Sequence, residues 1–70
     1  MVNQMVLSSE IEWIGYEQKR HMLQVEFIAG SIYQYDNVPQ SVYQEFLDAP
    51  SHGRYFESQI KGRYSYRKVR

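Results

Sequence analysis

The densest interaction chemistry in the sequence lies at its C-terminal end, in Lys61-Gly62-Arg63-Tyr64-Ser65-Tyr66-Arg67-Lys68-Val69-Arg70. Five cations, Lys61, Arg63, Arg67, Lys68 and Arg70, can neutralise phosphates, and Tyr64 and Tyr66 can stack on unpaired bases. Arginine suits phosphate through its planar fork of donors. All eight acidic side chains fall between Glu10 and Glu57, so the last 13 residues carry +5 and the first 57 carry −5 although the net charge is zero. Such asymmetry marks a basic segment for an anionic partner. The plainer reading is that Tyr64 completes the core and the cations sit solvated near a helix C-terminus. Trp13, the only tryptophan, is a partner contact if exposed and otherwise covers the edge of the core.

Residues for catalysis are thin by comparison. There is no cysteine nucleophile, and neither His21 nor His52 stands in a nucleophile motif. His52 follows Asp48 by four residues, a spacing that shares one helix face, but Pro50 between them breaks that helix. Two histidines and no cysteine do not make a usual zinc cluster. Gly15, Gly30, Gly53 and Gly62 are isolated, so no phosphate-cradling loop is formed. Glu10, Glu12, Glu17 and Glu26 lie on or beside the first hairpin, in water, whereas general acid–base work would need them buried. The chain reads as a non-enzyme with no metal and no small-molecule cofactor.

Seventy residues make one domain at most, of marginal size. Without disulfides, the core must come from ordinary packing, for which the 16% aromatic content is apt. The first ten residues carry no Lys or Arg and no long apolar run, and no stretch could span a membrane. The absence of cysteine fits a reducing compartment, so the expectation is a cytoplasmic protein.

The elements that must position these residues follow from periodicity. Ile11 and Trp13 share one face and Ile14 and Tyr16 the other, with Gly15 placed to allow a bulge that turns both sets inward. Leu23, Val25 and Phe27 alternate with Gln24 and Glu26, as in a half-buried strand. A third strand runs from Ser31 to Asp36. A two-residue turn at Ala29-Gly30 would force positive φ on alanine, whereas a three-residue loop, Ile28-Ala29-Gly30, needs it only at Gly30. In that register Val25 faces Tyr33 and Leu23 faces Tyr35, which puts both tyrosines on the apolar face. A one-residue slip would put them on the polar face, as a stacking platform for RNA.

Pro39 suits the first turn of a helix bearing the stripe Val42, Tyr43, Phe46, Leu47. Pro50 ends it, and Ser51 caps a second helix with Phe56 and Ile60 inward and Tyr64 one turn on. Gly53 on that side allows close helix approach, and Gly62 weakens or ends the helix. The expected fold is α+β: a three-stranded antiparallel β-meander followed by two α-helices packed on one face. The ordered core spans about 8–64, with a basic C-terminal tail over 65–70, extended or helical. A lone three-stranded sheet leaves two open edges as pairing surfaces.

One ordered set of residues carries a resemblance: Ser8-Ser9, Ile11, Ile14-Gly15-Tyr16, then Leu23, Val25, Phe27, then Gly30, Tyr33-Gln34-Tyr35, Val38-Pro39, then Ser51, Gly53, Tyr55-Phe56 and Ile60. This succession resembles the KTSC domain, a short bacterial module named for its place at the C-terminus of some lysyl-tRNA synthetases and also found as a stand-alone protein. Tyr33-x-Tyr35 is its most recognisable element. Glu17 and Glu57 stand where the family pattern has Asp and Asn. The resemblance implies no catalytic residues, and its synthetase context implies an association with RNA.

Two functions follow. One is an accessory module for RNA or tRNA, with Lys61, Arg63, Tyr64, Tyr66, Arg67, Lys68 and Arg70 as its footprint. The other is a protein-interaction or homodimerising module that uses an open sheet edge, an aromatic surface or Trp13.

Overall fold

Gly30 sets the register of the sheet. In the computed structural model, which describes residues 2–70, Gly30 has φ of +106°. Its N–H donates to the Phe27 carbonyl at 2.8 Å, and the Phe27 N–H donates to the Ser31 carbonyl at 2.9 Å. This is the three-residue loop closed by a left-handed glycine that the sequence predicts. Strands β3 (Met22–Phe27) and β4 (Ile32–Tyr35) therefore pair with Leu23 opposite Tyr35 and Val25 opposite Tyr33.

Strand β2 (Ile11–Glu17) pairs with the other side of β3, and its bulge falls earlier than the sequence suggests. The pairing steps from Ile11–Phe27 to Trp13–Glu26, so the extra residue is Glu12, not Gly15. The shift turns Ile11 onto the face of Ile14 and Tyr16, and all three are buried. Trp13 is left on the opposite face, half-buried.

The sheet has five strands where three were expected, and the two added ones occupy the edges that the meander would leave open. β1 (Val2–Met5) pairs with β2, and β5 (Tyr66–Lys68) pairs with β4, all antiparallel in the order β1-β2-β3-β4-β5. The basic segment beyond Gly62 is thus extended, and part of it belongs to the sheet.

Helix α1 (Gln40–Asp48) starts one residue later than its proline. Pro39 is the extended residue before the first turn, and Ala49, ahead of Pro50, is again extended. Ser51 caps the short α2 (His52–Tyr55), its hydroxyl accepting the Arg54 N–H at 3.3 Å. The chain continues as a π-helical turn over Phe56–Ile60, closed by the Lys61 N–H to the Phe56 carbonyl at 2.9 Å. The wider turn keeps both Phe56 and Ile60 buried.

The helices cover one face of the sheet. Ile11, Ile14, Tyr16, Leu23, Val25 and Tyr35 meet Val38, Tyr43, Phe46, Phe56 and Ile60 in one core. Fully buried side chains such as Phe46 and Leu23 each contribute about 2 kcal/mol. Gly53 is not needed for a close helix approach: an added Cβ would meet only Glu10, at an ordinary 3.7 Å.

Candidate functional site

The helices do not cover the whole face. Between the π-helical turn and strands β4–β5 an open groove of about 700 Å³ remains, with Phe27, Tyr33, Tyr35, Phe56 and Tyr66 among its lining residues. Strand β5 makes this surface. Because Tyr66 pairs with Tyr35 and Lys68 with Tyr33, both side chains project to the helix side of the sheet. The Tyr66 ring centre lies 5.6 Å from that of Tyr33 and 5.5 Å from that of Tyr35. Phe27 meets Tyr33 edge-on at 5.7 Å, and Phe56 meets Tyr35 edge-on at 5.8 Å.

The members of this cluster differ in access. Tyr35 is 3% exposed, and burial first, then the neighbouring Tyr33, Tyr66 and Glu57, push its phenol up to about 12. It is a structural ring. Tyr33 is half-buried, and Tyr66 is 59% exposed. The stacking surface therefore belongs to Tyr66 and the outer part of Tyr33. An open-face platform of Tyr33 and Tyr35 is not formed, since both rings face the helices.

The cations of the basic segment are divided by the strand's alternation. Arg67 points to the uncovered face, where Nη1 lies 3.1 Å from Asp36 Oδ2 and Nε donates to Gln34 Oε1 at 3.1 Å. Gln34 in turn donates to Gln24 Oε1 at 2.9 Å. Arg70 pairs with Glu26 at 3.2 Å and donates to the Gly30 carbonyl at 3.3 Å. Arg63 donates to the Ser58 carbonyl at 3.0 Å. These arginines fasten the C-terminal segment to the body of the domain. Lys61 pairs loosely with Glu57 at 3.6 Å on the rim of the groove. Lys68, beside Tyr33, has no ion pair among the described residues.

Tyr64 is half-buried and packs against the core, which is the structural role weighed for it. Trp13 lies on the uncovered face, opposite Met5 and Glu26, and so on the other side of the sheet from Tyr66. The expected footprint is therefore split. Lys61, Tyr66 and Lys68 share the groove side, Arg67 lies on the back, and Tyr64 is packed; Trp13, the separate candidate for a partner contact, is on the back as well. Sequence reasoning missed Phe27, Glu10 and Glu57 as groove residues, and the split itself. The alternation of Tyr66 and Lys68 with Arg67 is the signal that could have shown it, had the segment been taken as a strand.

A second cleft of about 690 Å³ lies where the loop before β2 meets α2. His52 is spent there on structure, its Nδ1 3.3 Å from the Leu7 carbonyl and its Nε2 3.2 Å from that of Leu47. It forms no pair with Asp48. The chemistry the surface offers is stacking, hydrogen bonding and charge, centred on the groove.

Comparison with known proteins agrees with this fold. The model of the KTSC domain matches residues 7–64. A lysine–tRNA ligase of Nostoc punctiforme is 41% identical over 61 residues, which cover 87% of this chain and 11% of the ligase. The chain thus spans about a ninth of the length of the ligases it matches. An uncharacterized protein of Stutzerimonas stutzeri is 41% identical over 54 residues, covering 77% of this chain and 76% of that one. The crystal structure of a KTSC domain protein from Yersinia pestis superposes with a TM-score of 0.93 at 41% identity, covering 99% of this chain and 97% of that one.

Proposed function

The chain belongs to the KTSC domain family, and we propose that it is a non-enzymatic accessory module that binds single-stranded RNA, including tRNA, on the groove side of β5. One observation carries this: the exposed Tyr66 ring, backed by Tyr33 and flanked by Lys61 and Lys68, is a stacking surface with cations at its rim. Base–aromatic stacking is worth about 1–3 kcal/mol per base. Its likeness to part of several lysine–tRNA ligases supports an RNA context. The basic segment acts here through two lysines, while its arginines hold the strand.

A nuclear magnetic resonance titration with short single-stranded RNA and with tRNA, at two salt concentrations, tests the reading. Shifts centred on Tyr33, Lys61, Tyr66 and Lys68 are expected, with Tyr66→Ala abolishing most of the affinity. Lys68→Gln should lower the salt slope by about 0.7, the value of one phosphate contact to a single strand. No response to either RNA at low salt overturns it.

The second reading, a protein-interaction module, is favoured by one observation. Ile28, 55% exposed, extends the same groove as an apolar wall. A dimer or a bound protein partner unaffected by RNA would support it.

A further inference from the structure

We infer that the groove selects guanine among unpaired bases, a reading that rests on the RNA-binding role above. The rings and lysines supply stacking and phosphate contacts, which every nucleotide offers and which give at most a modest preference by stacking strength. What discriminates must be the remaining polar groups of the groove. Among these are the Glu57 carboxylate from the π-helical turn and Glu10 from the loop before β2, with the hydroxyls of Ser9, Ser31 and the lining tyrosines; the carboxylates alone accept without donating. Glu57 has one oxygen facing Lys61 at 3.6 Å and its second without a hydrogen-bond partner among the described residues. The Glu10 carboxylate has none there either.

An ionised carboxylate only accepts hydrogen bonds. Cytosine and adenine each set one amino donor beside a ring-nitrogen acceptor, which a carboxylate repels. Uracil sets a single N–H between two carbonyls. Guanine alone presents adjacent donors, N1–H and the N2 amino group, that match both oxygens of one carboxylate. The charges also orient the nucleotide. Phosphates are drawn to Lys61 and Lys68 and repelled by Glu10 and Glu57, so the base enters the groove and the backbone stays at the β5 rim.

The test measures binding of five-nucleotide RNAs carrying one G, A or C within uridines, together with GMP and IMP, by chemical shifts at Glu57, Lys61 and Tyr66. Guanine is expected to bind about tenfold tighter than adenine or cytosine, the discrimination of one good bidentate pair. IMP, lacking the N2 amino group, should bind more weakly than GMP. Glu57→Gln should remove the preference while leaving affinity for the adenine oligonucleotide equal or higher, since a negative charge near phosphate is gone. Equal affinity for all bases overturns guanine selection while the RNA role stands. No shifts with any RNA, but shifts with an arginine amide, overturn both and assign the groove to a cationic peptide.

Discussion

The phenol of Tyr16 donates a buried 2.6 Å hydrogen bond to the carbonyl of Val38, 22 residues away, while its ring stacks on Tyr43 at 4.8 Å. One side chain thus ties the second strand to the segment that leads into α1.

Tyr16→Phe keeps the ring and removes the donor, leaving the Val38 carbonyl without that partner in a fully buried residue. The expected loss is about 1–3 kcal/mol. Urea unfolding should show a lower midpoint at unchanged slope.

Alkaline stability is set by the tyrosines. Burial first of all raises Tyr16, Tyr35, Tyr43 and Tyr55, with Tyr35 and Tyr55 pushed up to about 12, Tyr55 also by its hydrogen bond to Glu45. The folded state then keeps these protons where the unfolded chain has lost them. Their contribution is fully present below the unfolded value of 10.0 and is lost as pH rises toward about 12. Denaturant titrations across that window should show falling stability, with a shallower fall in Tyr55→Phe.

Arg67→Gln should leave global stability within about 1 kcal/mol, because its pair with Asp36 is more than a third exposed on both sides. The local effect is larger. Amide exchange over Tyr66–Lys68 should accelerate, whereas Lys68→Gln should not change it.

Two glycines should behave oppositely when changed to alanine. At Gly30 nothing lies within 4 Å of an added Cβ, yet φ of +106° strains any L side chain. Gly30→Ala should cost about 1 kcal/mol or more. Gly53 lies in α2 at ordinary φ with only a 3.7 Å contact, so Gly53→Ala should be neutral or stabilising by about 0.5–1 kcal/mol. Thermal unfolding distinguishes the two.

The elements that were legible in the sequence have strong local signals. The Gly30 turn, the Pro50 stop and the Ser51 cap each rest on the limits or chemistry of one residue, and the Leu23-Val25-Phe27 alternation and the Tyr43–Phe46 stripe on apolar spacing. The two outer strands did not show, because Val2–Met5 and Tyr66–Lys68 are only four and three residues long and carry no apolar alternation. Edge strands satisfy one row of backbone groups and need little apolar pattern. The bulge moved from Gly15 to Glu12 because side-chain burial of Ile11, rather than glycine's freedom, decides where the extra residue goes. The groove was out of reach for the same reason as β5: Phe27, Tyr33, Tyr35 and Phe56 meet without it, but the exposed ring that makes the surface, Tyr66, comes from the added strand.

The fastening of β5 by Arg67 and Arg70 has a consequence for how affinity responds to ions. Both pairs involve arginines at least half exposed, so added salt screens them over the same range that screens phosphate contacts. Two ionic-strength dependences are then superposed, one from the ligand and one from the strand that presents Tyr66. The apparent slope should exceed what Lys61 and Lys68 alone would give, because screening also withdraws the uncharged ring from its neighbours.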